Sequence, residues 1–349
     1  MGELIDLLKS LVGKRFPFRL VYSNEYWMFD TGKHVFPLQK YRLVYENLLA
    51  MGARKEDFLR PRPAPDEDLL LVHTARYVKH LKAGTLAPAE VQALELRFSP
   101  DLVRFALLSV GGTVLAARKA LEDGLALHIG GGFHHAFPDH GEGFCMIHDV
   151  AIAIRRLQKD KLIERAMTVD CDVHQGNGTA AIFGPPESAH LGLPAGQPAT
   201  AGRLGPAHEQ AIHDGDVFTI SLHQEKNYPA WKPPSSIDVN LPDGTGDKEY
   251  LAWLDQALSA GLRQFQPDLL CYLAGADPYQ EDQLGGLALS LEGLKKRDLM
   301  LFRAARTHRI PVMVTFAGGY ARKVEDTVTI HCNTVLAAKE TFASGGKGD

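Results

Sequence analysis

Cysteine is scarce in this sequence: Cys145, Cys171, Cys271 and Cys332 are the only four in 349 residues, and no two form a CxxC pair. That pattern argues against the closed, thiolate-rich cages of structural zinc sites. It fits a reduced compartment, so a cytoplasmic location is expected. No uninterrupted apolar run approaches the ~18 residues that cross a bilayer. Glu3, Asp6 and Lys9 interrupt the first leucines, so neither a signal-peptide core nor a membrane association is expected. Basic charge is also not in excess. Thirty-eight Lys and Arg against 42 Asp and Glu give a net charge of −4, which excludes a generally basic nucleic-acid binder. What the chain does have is histidine, 15 in all, together with the 45% hydrophobic and 23% charged content of an ordinary globular protein. Any metal chemistry here runs on imidazole and carboxylate.

Short apolar runs alternate with longer amphipathic ones. The pattern predicts strands over 19–22, 125–129, 166–171, 217–222, 269–274 and 311–316, and helices over 38–51, 100–122, 248–265 and 291–307. Alternation of this kind, with strands apolar on both sides, predicts an α/β fold with a parallel sheet covered on both faces. Leu4, Leu7, Leu8 and Leu11 recur at helical spacing, predicting a helical N-terminal extension over 1–17. The stretch 184–206, rich in Gly, Ala and Pro, reads as a long surface loop, and 341–349 as a disordered tail.

Polar residues gather where the strands end. The run 125–129 leads into three glycines and then His134 and His135; 166–171 leads into Asp170, Asp172 and His174; 269–274 into Asp277; and 311–316 into Tyr320. In an open parallel sheet, ligands bind outside the carboxyl ends of the strands, so these four termini are expected to share one crevice. Asp172 and His174, two apart, share a face. With Asp277 they would make a three-ligand site open to water and substrate, the catalytic rather than the structural arrangement. Zinc suits mixed imidazole and carboxylate ligation, with Fe(II), Mn(II) and Co(II) as chemical alternatives. An isolated Asp-x-Asp-x-His run is more often plain surface polarity; four such groups at four strand ends are not.

These residues carry a resemblance. GGFHHA at 131–136, GFC at 143–145, DCDVHQGNG at 170–178, GAD at 275–277 and GGY at 318–320 resemble the zinc-dependent histone deacetylase family, in particular its bacterial, class IV-like members related to acetoin-utilisation proteins. HVFPLQKYR at 34–42, LPDGTG at 241–246 and DQLGG at 282–286 are similar too. The resemblance spans roughly 18–340 and implies a single domain around an eight-stranded parallel sheet, the fold shared with arginases. It implies Asp172, His174 and Asp277 as ligands of one Zn2+, with His134 and His135 as the active-site pair, the second of them general base and acid. It further implies Tyr320 as oxyanion donor, Asp170 as support for His134, Asn177 as partner of His135, and Phe144 and Tyr228 as walls of an acyl-lysine channel. A structural K+ site is implied at Asp170, Asp172, His174, Ser221 and Leu222.

Two positions depart from the family. Many members carry Asp where this chain has Asn177, so His135 is expected to stay neutral to lower pH. His148 stands where relatives carry a small polar residue, with no role assigned from sequence. Polyamine-selective members carry an acid seven residues after the third ligand, and that position here is Leu284. The expected activity is therefore removal of acetyl or longer acyl groups from lysine side chains of peptides or proteins. The alternatives are an acetylpolyamine or other small-amide deacetylase, an arginase-like two-metal hydrolase, and a non-catalytic acyl-lysine binder. Physiological substrate and oligomeric state are not readable from the sequence.

Overall fold

The computed structural model describes residues 16–184, 189–190 and 215–343. Strands form where the apolar runs predicted them, each within two residues of its expected ends. In chain order they are β1 (Arg19–Val21), β2 (Phe58–Leu59), β3 (Leu125–His128), β4 (Ala166–Asp170), β5 (Ala189–His190), β6 (Val217–Gln224), β7 (Ile237–Leu241), β8 (Leu269–Leu273) and β9 (Val312–Thr315). All pair in parallel in the order β2-β1-β3-β9-β8-β4-β6-β7-β5. The run from β2 to β7 is the expected eight-stranded sheet, and the two-residue β5 adds a ninth strand at the β7 edge.

The helices are α1 (Gln39–Ala50), α2 (Asp66–Leu69), α3 (Ala75–Ala83), α4 (Pro88–Ala93), α5 (Pro100–Asp123), α6 (Asp149–Lys159), α7 (Asn177–Phe183), α8 (Asp247–Gln264), α9 (Leu291–His308) and α10 (Val324–Ala343). Local chemistry sets their limits. Ser99 accepts from the Leu102 N–H and Pro100 opens α5, which ends on Gly124 in the left-handed conformation. α5 is long and apolar enough to cross a membrane by length and composition, but 61% of its most apolar window is buried inside the protein. His148, unexplained by sequence, caps α6: its Nδ1 accepts the Ala151 N–H at 3.2 Å while its Nε2 lies 2.9 Å from Thr179 Oγ1. The ring must be neutral to accept at Nδ1, and burial keeps it so.

Alternate strand residues face opposite layers. Leu270 and Tyr272 join the core packed by Tyr41, Leu254, Leu301 and Val335, whereas Leu269, Cys271 and Leu273 join that packed by Ala116, Ala120, Val150 and Ile154. Both faces of one sheet are therefore sealed, making a single α/β domain. The expected helix over 1–17 lies outside the described residues except for Phe16 and Pro17, and Phe16 is buried edge-on against Phe18. Of the expected 184–206 loop, Ala189–His190 pairs with β7 and most of the rest lies outside the described residues. The expected tail also begins too early: α10 continues to Ala343, with the Thr341 hydroxyl donating to Ala337 O at 2.9 Å, and only 344–349 lie outside.

Candidate active site

The chain leaves β3 for β4 across two vacant sheet positions, which β9 and β8 later fill. This places the four polar strand ends side by side in the order β3, β9, β8, β4. After β3 the backbone turns through Gly131 and Gly132, at φ 69° and 84°. The turn is held from beneath by Asp149, whose carboxylate accepts the Gly132 and Phe133 N–H groups at 3.0 and 2.8 Å. A Cβ on Gly132 would sit 2.8 Å from Ala317 Cα, so only glycine allows this turn to pass the β9 end. His134 and His135 follow, both buried.

His134 Nδ1 lies 2.7 Å from Asp170 Oδ2. Burial opposes a charge on this ring, but the Asp170 carboxylate outweighs it and holds the pKa up at about 9. His135 goes the other way: burial, then the charges of His134 and His174, push its pKa well below the usual imidazole value. Its Nδ1 lies 2.7 Å from Asn177 Oδ1, a pure acceptor, so the proton of the neutral ring sits on Nδ1 and the Nε2 lone pair is free.

Asp172, His174 and Asp277 converge, all buried, with one ligand atom from each lying within 4.8 Å of the others. Asp172 Oδ1 is 3.1 Å from His174 Nδ1, and Asp277 Oδ2 is 3.6 Å from the same nitrogen. The second Asp172 oxygen accepts from the Gly318 N–H at 2.8 Å, and Asp277 Oδ1 from the Val173 N–H at 2.9 Å. Asp277 Oδ2 is different: it is buried and has no hydrogen-bond partner among the described residues. A Cβ on Gly318 would stand 1.9 Å from it, so the backbone leaves open the space this oxygen faces. Burial and the Asp172 charge push Asp277 up to about 7, while the two carboxylates overcome burial and raise His174 to about 10. Such a trio is short of positive charge, and its donor set and orphaned oxygen fit a divalent cation.

The cavity above this trio has a volume of about 180 Å3 and is lined by His134, His135, Asp172, His174, Phe144, Tyr228, Leu284 and Tyr320, among others. Tyr320 is positioned by its own N–H, which donates to Asp282 Oδ2 at 2.7 Å, and the same carboxylate accepts from Leu284 N at 2.9 Å. Burial drives the Tyr320 pKa far up, which keeps the phenol a donor.

The model of the histone deacetylase domain matches residues 34–335. The chain belongs to the histone deacetylase family. It is 37% identical over 326 residues to an uncharacterized protein of Picosynechococcus sp., covering 93% of this chain and 99% of that one. It is 33% identical over 327 residues to histone deacetylase 2 of Arabidopsis thaliana, covering 88% and 77%. A crystal structure of an HDAC homolog from Aquifex aeolicus shares the fold, with a TM-score of 0.70 at 23% identity, covering 95% of this chain and 89% of that one. The protein is therefore a deacetylase hydrolase.

Every side chain that the sequence singled out for the metal trio, the histidine pair, the tyrosine and the channel lies at this one site of the deacetylase. Of the residues considered for K+, Asp170 and Ser221 are register partners on β4 and β6, and Ser221 Oγ is 2.9 Å from His223 Nδ1. Sequence reasoning missed Lys40, Glu142 and Asn227. Lys40 is wholly buried, donates to Ala317 O at 3.0 Å and sits among the rings of Phe36, Tyr41 and Tyr320. Burial lowers its pKa to about 8. Asn227 ties the loop after β6 to that after β8 by donating to Leu284 O at 2.8 Å. Glu142 accepts from both Asn177 and Tyr228. Lys40 lies within HVFPLQKYR at 34–42, where nothing marks it apart from other basic residues; Glu142 lies between two glycines and looks like exposed loop charge.

Proposed function

We propose that this deacetylase hydrolyses the amide of acyl-lysine side chains in peptides or proteins. The observation that carries the reading is the convergence of a proton-free imidazole nitrogen, a neutral phenol and the Asp172–His174–Asp277 trio on one narrow cavity with aromatic walls. Held by that trio, a Zn2+ ion would supply Lewis acidity toward the scissile carbonyl and the attacking water. His135 takes the water proton on Nε2 and later returns a proton to the departing amine. Its Nδ1–H stays on Asn177 throughout. Tyr320 donates its phenolic hydrogen to the oxyanion of the tetrahedral intermediate. His134, kept charged by Asp170, faces Asp172 across 3.8 Å and adds positive field beside the developing negative charge. Phe144 and Tyr228 flank an extended alkyl stem and exclude water from it. The K+ site is proposed on the same footing, at the β4 and β6 ends.

Leu284 at the channel favours lysine in a peptide over a free polyamine. One observation supports a small acylated amine as second reading: Glu95 lines the same cavity and offers a carboxylate to a distant cation. Turnover of acetyl-, butyryl- and myristoyl-lysine peptides and of acetylspermidine, with and without chelator, separates these readings. Peptides are expected to be the better substrates, with activity lost on chelation. Tyr320→Phe is expected to keep its bound metal and lose turnover by about 10²–10³-fold. Near-normal turnover in that variant would sink the assignment.

A further inference from the structure

Asn177 presents a neutral amide to His135, and an amide can face either way. Only one orientation is productive. With Oδ1 toward Nδ1, the imidazole carries its proton there and leaves Nε2 free to act as a base; with the NH2 group toward Nδ1, the neutral ring becomes the opposite tautomer and Nε2 is blocked by its own hydrogen. A carboxylate at this position would have no such ambiguity. Something must therefore specify the amide.

Two neighbours do so. On the oxygen side the Gly178 N–H donates to Oδ1 at 3.1 Å. On the nitrogen side Nδ2 donates to Glu142 Oε1 at 2.6 Å, the shorter contact and the one made to a charged acceptor. The same Glu142 oxygen accepts the Tyr228 hydroxyl at 2.9 Å, and the Tyr228 ring meets His135 edge to face with centroids 4.9 Å apart. Its other oxygen faces His140 Nε2 at 3.8 Å. Gly143, next in the chain, sits at φ 51°, and a Cβ there would lie 2.9 Å from the Tyr228 ring and 3.0 Å from His135. The carboxylate thus reaches His135 by two routes, the amide of Asn177 and the ring of Tyr228.

We propose that Glu142 is a positioning residue for His135: as the acceptor for Asn177 Nδ2 it locks the amide, and through the amide it fixes His135 in the Nδ1–H tautomer that a base requires. The carboxylate thus stands one side chain beyond this histidine rather than directly on it. The inference rests on the reading of His135 as general base.

The test uses the full-length chain. Glu142→Ala is expected to lower kcat by about tenfold or more with little change in KM, the scale on which outer partners of metal-site residues act. Glu142→Gln keeps an oxygen that can accept from both Asn177 and Tyr228, and is expected to restore most of the turnover. In an Asn177→Asp background, where no amide needs orienting, Glu142→Ala is expected to cost much less, leaving only what its contact with Tyr228 contributes. Nitrogen-15 spectra of the histidine rings in metal-free protein supply a readout independent of turnover: Nδ1-protonated His135 in the parent chain, mixed tautomers in Glu142→Ala. An equal loss of kcat in both backgrounds, failure of Glu142→Gln to rescue, or an unchanged tautomer in Glu142→Ala would overturn the proposal. His135→Ala is the control for the underlying reading. If it stays active, the base assignment fails; if it is dead while Glu142→Ala matches the parent, only the role of Glu142 fails.

Discussion

The two histidines of the pair differ in the atom that faces Nδ1. His134 faces a carboxylate that outweighs burial and holds it up at about 9, whereas His135 faces an amide oxygen too weak to offset burial and the charges of His134 and His174, and is pushed down. One substitution should convert the second case toward the first. Asn177→Asp alone would set two carboxylates side by side, because Glu142 Oε1 stands 2.6 Å from the Asn177 amide nitrogen. The clean experiment is the charge-neutral swap Asn177→Asp with Glu142→Gln, which moves the negative charge inward onto Nδ1 without adding any. A carboxylate in contact favours imidazolium, so the pKa of His135 rises. The base is then protonated at higher pH, and the acidic limb of kcat/KM moves upward. A limb that stays in place in the swapped enzyme would mean that another group sets it. His174, Asp172 and His134 also face His135, and they are unaltered in both proteins. The individual roles were legible to different degrees. Asp172 and His174 declared themselves because their spacing of two is local. Asn177 and Glu142 are 35 residues apart and Lys40 and Ala317 are 277 apart, so no local pattern could have joined them.

Among the secondary-structure elements, the strand ends are fixed from behind by a charge buried on α9. Arg297 Nη1 donates to Gly275 O at 2.6 Å and lies 3.4 Å from Cys171 O, the carbonyls that follow β8 and β4. Asp298 balances that charge and accepts the Tyr272 and Thr334 hydroxyls at 2.5 and 2.6 Å. Arg297 therefore sets the spacing between the two segments that carry Asp172 and Asp277. Removing one member of a buried pair leaves the other uncompensated, so Arg297→Met is expected to destabilise the fold by about 3–5 kcal/mol. The exposed Arg42–Glu46 pair on α1 is the comparison, since losing it should cost about 0.5 kcal/mol. Denaturant melts of the two variants check the ratio, and equal midpoints would remove the argument. The strands themselves were readable because parallel strands buried on both faces are apolar throughout. β7 was harder: Asp238 and Asn240 interrupt Ile237, Val239 and Leu241, and its Asp238 serves the Ser235 N–H at 2.8 Å. The cap on α6 was hidden for another reason, because histidine seldom serves as one and nothing in the sequence marks a ring nitrogen as an acceptor.

For the molecule as a whole, the metal trio is a local excess of buried negative charge, two carboxylates against one imidazole. Asp277 Oδ2 is the sharpest sign of it, a carboxylate oxygen removed from water with no donor in return. A group in that condition costs about 1–3 kcal/mol or more in the folded state only. A divalent cation bound there would offset that cost and add linkage stabilisation, about 4 kcal/mol at a thousand times its Kd. Chelation is therefore expected to lower Tm by several degrees as well as to stop turnover, and added Zn2+ to restore both. Asp277→Asn identifies the source. The substitution keeps Oδ1, and with it the 2.9 Å bond from the Val173 N–H, but turns the orphaned oxygen into an amide nitrogen that cannot ligate. The variant should fold, with a Tm that no longer responds to chelator or to Zn2+. If the parent chain melts at the same temperature with and without chelator while its metal content falls, the trio does not couple a cation to folding, and the orphaned oxygen needs another explanation. If Asp277→Asn still responds, the stabilising ion sits elsewhere, and the residues considered for K+ at the β4 and β6 ends become the place to look. Because Tm and turnover are read on the same samples, a metal that only stabilises is separated from one that also serves the reaction.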